Sequence, residues 1–387
     1  MAKNHTEKES NWFVDKGLQL LIQVVLGVLP FIVTQLSLVY ILPDLLWAVA
    51  IVIIVVFFGV GLWKFAAYFG ETERNLRIFL FIAFYAITLL AVWNELVGPI
   101  LSSYLIDTDP NVLLQGKAWV VYEPTEYNPA TNLNPTVDSM DKELEWVSNA
   151  GFSGIITLSS QGSLSEIPKL AKKHNLLVIA GVWDPTNRQE VASAILNKDY
   201  IDAYSVGHNG VNWLYSFSDL TKTIRKIRFH TRHPVSTTEI VSYYLVEKRL
   251  FGIGDWVFPD AHVSVKDEGG KYSVNAVRDK ELTIELAKII ASQKERNGKT
   301  ILLKMVMYPM SGAPNASLDE QAHFFDALLA NTQDVQPEIP IGVVISAHSA
   351  YDISWKTYWP FYKWETSTGL LDKSGNLRPA ARSFLRR

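Results

Sequence analysis

The chain has 387 residues, with 36 Lys and Arg against 39 Asp and Glu (net charge -3), and no cysteine. A near-neutral charge excludes the basic field that draws proteins onto nucleic acid. The lack of cysteine excludes disulfides, thiolate nucleophiles and thiolate zinc sites.

The first hundred residues differ in composition from the rest. After a polar stretch at 1–16, three apolar runs follow, Gly17 to Leu42, Leu45 to Trp63, and Ile78 to Trp93 with an extension to about Leu105. Each approaches the roughly 20 residues that cross a hydrocarbon core of about 30 Å, so three transmembrane helices are expected over 17–105. A cleaved signal peptide fits less well, because the first run is too long for an apolar h-region and two more follow. Lys3, Lys8 and Lys16 before the first run, and Lys64, Arg74 and Arg77 after the second, predict a cytoplasmic N-terminus. An odd number of spans then puts the remainder on the periplasmic or extracellular side, as part of an integral membrane protein.

A polar linker over 106–116 leads into a domain at 117–387, where short apolar runs alternate with amphipathic stretches. Strands are predicted at Lys117–Pro124, Ser153–Leu158, Leu176–Trp183, Ile201–Gly207, Pro234–Glu239, Gly252–Phe258, Thr300–Met307 and Ile341–Ala347, with helices between them. Near-continuous apolar strands joined by helical crossovers imply a parallel sheet, and eight such units imply a (β/α)8 TIM barrel. A doubly wound open sheet is the alternative, but no Gly-x-Gly-x-x-Gly or P-loop supports it.

In such a barrel the chemistry sits at the C-terminal ends of the strands. Tyr122 and Glu123, Trp183, His208 and Asn209, Glu239, Trp256, Tyr308, Trp355 and Tyr358 fall at or beyond those ends. Aromatic rings with amides and carboxylates suit carbohydrate, since flat rings stack on sugar faces while polar groups read hydroxyls. The bland reading, aromatics packed beneath loops, applies to about half of such residues. His208, His262, His348 and Asp260 lack metal-ligand spacing, so no metal site is expected, and no cofactor motif is present.

From Gln115 to Arg382 the order of motifs resembles glycoside hydrolase family 17, in particular its bacterial β-1,3-glucanase-like members. "GKAWVVYEP" matches the first strand, and "IPKLAKKHNLLVIAGVW" the third. "VGHN" stands for the family's "VGNE", and "VSTTE" (Val235 to Glu239) for "VSTAE". "SAYDISWK" and "GLLDKSGNLRPAA" follow the closing elements. The resemblance implies a retaining (β/α)8 hydrolase with two glutamates, and it is at these that the chain departs. The acid/base position falls on Asn209, or on Gly210 if His208 is an insertion, and the nucleophile position, in "LLKMVMYP", on Met305. Neither an amide nor a thioether supplies the carboxylate that retaining hydrolysis needs. Glu239 is the best remaining carboxylate for a relocated role.

The expected function is a catalytically inactive glycoside-hydrolase-like subunit. It binds or guides a β-glucan or related polysaccharide, or serves beside a membrane partner such as a glycosyltransferase. The alternatives are a hydrolase or transglycosylase with relocated carboxylates, and a purely structural platform.

Overall fold

The computed structural model describes residues 106–263, 265–266, 272–329, 338–358 and 363–385. The chain divides into two units, Met1–Gly98 and Pro99–Arg387, and all described residues belong to the second. The expected architecture is corrected on its membrane part. Among the described residues no helix is long and apolar enough to cross a membrane. The runs on which the spans and the integral-membrane placement rested, within 17–105, lie outside the described residues.

Seven parallel strands form one sheet: β1 (Trp119–Val121), β2 (Gly154–Ile156), β3 (Leu177–Val182), β4 (Ala203–His208), β5 (Val235–Thr238), β8 (Ile301–Val306) and β9 (Val343–His348), in the order β5-β4-β3-β2-β1-β9-β8. A separate antiparallel pair, β6 (Val265–Lys266) and β7 (Tyr272–Ser273), lies between β5 and β8 in sequence.

The predicted strand at 252–258 is replaced by a short helix, Leu250–Ile253, followed by an irregular segment. That segment still bonds to both neighbours. Asp260 N–H donates to the Glu239 carbonyl at 2.8 Å, and Val257 N–H to the Thr300 carbonyl at 2.9 Å. Pro259 has no N–H and interrupts the ladder, leaving single bridges Ile240↔Asp260, Val257↔Ile301 and Asp260↔Lys304. The result is a nearly closed barrel in place of a regular eight-stranded one.

Side chains alternate between two cores. Trp119, Val121, Ile156, Ile179, Ala203, Trp256, Phe258, Leu302 and Val344 pack together inside the barrel. Val120, Tyr122, Ile155, Val178, Tyr204, Leu303 and Ile345 pack outward against helices such as Val137–Asn149 and Phe217–Thr231. The second of these helices starts at a capping box, in which Ser216 Oγ accepts the Asp219 N–H and Asp219 Oδ2 accepts the Ser216 N–H. It stops at Arg232, whose left-handed φ of 59° turns the chain toward β5.

Two departures from regular pairing fall at the C-terminal end of the barrel. The register of β4 on β5 shifts between Ser205 and His208, and that of β8 on β9 between Leu303 and Val306. Asn209 follows the first irregularity and Met305 sits within the second, both with positive φ (48° and 59°). Bulges of this kind re-aim side chains at the rims of barrels.

Candidate functional site

Following β1 past Val121, the inward face carries Glu123, which is buried. Across the axis β8 contributes Lys304, whose side chain lies inside the barrel and is only 2% exposed. The Lys304 ammonium meets Nδ1 of His208 at 3.0 Å. A second ammonium arrives from a 3-10 turn, Ser354–Tyr358: Lys356 Nζ lies 3.2 Å from Nε2 of His348, 3.4 Å from Glu123 and 3.9 Å from Glu365. Above them Trp364 packs on Met305 and Met307, and its ring lies 5.1 Å from that of His262.

Burial governs the protonation of these groups. Desolvation, with the charges of Lys304 and Lys356 added, pushes His208 well below the ordinary imidazole range, and the same causes act on His348. Both imidazoles are therefore neutral near pH 7 and accept from the lysines. Burial brings the Lys304 amine down to about 8, against the opposing pull of Asp260 and Glu123. The Glu365 carboxyl is pushed up to about 7, again chiefly by burial, with Lys356 opposing.

The two positions at which the resemblance expects glutamates hold no acid. Asn209 Nδ2 donates to Asp260 Oδ2 at 2.9 Å, and the Asn209 Oδ1 atom is buried with no hydrogen-bond partner. Met305 is buried in the apolar contact under Trp364.

The other predicted residues divide between mouth and scaffold. Trp183 is at the mouth, its ring 4.4 Å from that of His208 and tilted by 30°. Trp355 is half-buried beside Lys356, whose Nζ lies 5.8 Å from its ring centroid. Tyr358 ends the 3-10 turn, and its side chain is outside the described set.

Three expectations are corrected. Tyr122 faces the helices and donates to Glu143 Oε2 at 2.8 Å. Trp256 is sealed in the inner core against Phe258. Tyr308 stacks on Phe324, with ring centroids 5.3 Å apart, and is buried in the outer core.

Glu239, the candidate for a relocated catalytic role, is buried, and its Oε1 accepts the N–H groups of Gly210 and Val211 at 3.0 Å each. Burial raises its carboxyl, while these backbone donors oppose the rise. Its geometry is that of a clamp on the loop after β4. Asp352 is likewise engaged, paired to Arg378 through two contacts of 2.9 and 2.7 Å.

Sequence reasoning missed Lys304, Lys356, Glu365 and Trp213. A lysine inside the apolar run "ILLKMV" was the available signal for the first. Among the described residues no group of His, Asp and Glu is arranged to hold a metal ion.

No protein-family model matches the chain, and no curated protein matches it in sequence. Solved structures do match. GH5_18 from Bifidobacterium longum subsp. longum aligns at 14% identity over 70% of this chain and 78% of that chain, with a TM-score of 0.51. A variant of that protein in complex with Manβ1-4GlcNAc aligns at 13% over 70% and 77%, with a TM-score of 0.50. A β-1,3-glucanase and allergen of Cryptomeria japonica pollen aligns more loosely, at 12% over 67% and 97% with a TM-score of 0.46. At these identities the likeness shows the barrel fold alone.

Proposed function

We propose that this barrel is a relative of the family 17 glycoside hydrolases that binds a β-glucan-type polysaccharide without hydrolysing it. The observation that carries the reading is the charge at the mouth. Retaining hydrolysis passes through an oxocarbenium-like transition state, which two carboxyl groups about 5–5.5 Å apart stabilise and protonate. Here the expected positions hold Asn209 and Met305, while Lys304 and Lys356 bring two ammonium groups to the barrel mouth. Positive charge beside a developing cation in a low-dielectric site raises the barrier. Trp183, 40% exposed at the mouth, remains as a ring suited to sugar. Calorimetric titration of the full chain with β-1,3-gluco-oligosaccharides tests the binding half: saturable heat supports it, and its absence overturns it.

A second reading rests on one observation. Glu123 and Glu365 both approach Lys356, at 3.4 and 3.9 Å, and the Glu365 carboxyl, pushed up to about 7, holds a proton near neutrality as a general acid must. In that reading these two, and not Glu239, are the relocated acids. It is disfavoured because the lysine between them neutralises the base and occupies the space between the two carboxyl groups.

A further inference from the structure

The loop after β4 is more firmly built than a surface turn needs to be. The Gly210 carbonyl accepts the N–H groups of Trp213, Leu214 and Tyr215 at 3.2, 2.9 and 3.3 Å, and Asn212 N–H donates to the Tyr215 carbonyl at 2.8 Å. From below, Glu239 holds the N–H groups of Gly210 and Val211. The Tyr215 ring fills the space under Gly207, whose φ is +79° and where an added Cβ would meet the tyrosine oxygen at 2.4 Å. At the outer end the indole Nε1 of Trp213 donates to the Asn209 carbonyl at 2.6 Å.

All this organisation presents a large apolar ring to solvent: Trp213 is 72% exposed. Its indole is anchored in one orientation without the burial that normally offsets such ordering. One residue before Asn209, His208 supports Trp183, which is itself 40% exposed. Two exposed indoles are thus anchored on consecutive residues, His208 and Asn209, at the end of one strand. The barrel axis, by contrast, is filled by buried Glu123, Lys304 and His348 and covered by Trp364.

Resting on the glucan-binding reading above, we propose that a β-linked pyranose chain sits on the rim formed by Trp183, Asn209 and Trp213 and not in the barrel axis. Equatorial hydroxyls leave C–H groups on both faces of a β-linked glucose ring, the shape and polarity that an indole face accepts. Glu239 then acts as a positioning residue for the rim loop.

The test is calorimetric titration of the full chain with β-1,3-gluco-oligosaccharides in the wild type, Trp213→Ala, Trp213→Phe, Trp183→Ala and the axis variant Lys356→Met, each checked for a cooperative thermal melt. The rim site predicts that each alanine variant weakens binding about tenfold or more, that Trp213→Phe restores most of it, and that Lys356→Met, which touches His348, Glu123 and Glu365 in the axis, stays within about twofold. Wild-type binding that survives both alanine substitutions, or is lost only in Lys356→Met, overturns the rim and leaves the glucan-binding reading standing. No wild-type binding overturns both. Self-association of the wild type that Trp213→Ala abolishes, with sugar affinity unaffected, assigns the rim to a second copy of this chain and likewise overturns the proposal.

Discussion

The ammonium of Lys304 on β8, only 2% exposed, meets Nδ1 of His208 on β4 at 3.0 Å. A buried amine whose hydrogen bond goes to a neutral imidazole is a costly arrangement. Replacing it with an apolar side chain of similar length is expected to stabilise the fold. Lys304→Met should raise the urea midpoint at pH 7, because desolvation outweighs the pull of Asp260 and Glu123 on the charged amine.

The same lysine makes stability depend on pH in the alkaline range. Its folded value is brought down to about 8, while an unfolded lysine titrates near ~10.4. Between these the unfolded chain binds more protons, so stability rises with pH. The penalty is fully present below about 8 and is relieved as pH climbs toward ~10.4. The difference between wild type and Lys304→Met should therefore shrink steadily from pH 8 to 10 in denaturant midpoints.

Glu365 has the opposite sign in the acid range. Its folded carboxyl is raised to about 7, against roughly 4.3 when unfolded. Between these the folded chain binds more protons, so its contribution declines as pH rises from about 4.3 through 7. Thermal midpoints measured from pH 4.5 to 7.5 should fall more steeply in the wild type than in Glu365→Gln.

Glu239 tests clamp against catalyst. Its Oε1 accepts two backbone N–H groups of the β4 loop. In Glu239→Gln the charge is gone, and a wrongly turned amide would set N–H against N–H. A stability loss of about 1.5–3 kcal/mol is expected, from the worth of hydrogen bonds to a charged group. Hydrogen exchange at Gly210 and Val211 should rise with it. A variant of unchanged stability and exchange would contradict the clamp.

Much of this was legible in the chain. The apolar runs of β1 to β5, β8 and β9 stand where their composition and spacing place them, and Asn209 and Met305 lie at the C-terminal ends of β4 and β8. The sixth strand was not legible as irregular, because Val257 and Phe258 read as strand while Pro259 breaks the ladder one residue later. Tyr122, Trp256 and Tyr308 were assigned to the wrong surroundings for a different reason. Strands buried on both faces carry no polar alternation, so hydropathy does not tell the barrel interior from the helix side. Lys356 reaches the mouth from a 3-10 turn beyond β9, a tertiary contact that no local pattern announces. Trp213 was visible as a letter, but its exposure depends on Tyr215 filling the space beneath the loop.

Binding without hydrolysis is read out by recovering the sugar. A β-1,3-linked pentasaccharide is incubated overnight at pH 6 with excess full chain and examined by mass spectrometry. The pentasaccharide should be retained by the protein and recovered intact. Shorter products in the wild type, absent in both Glu123→Gln and Glu365→Gln, would contradict it and assign the chemistry to those two carboxyls.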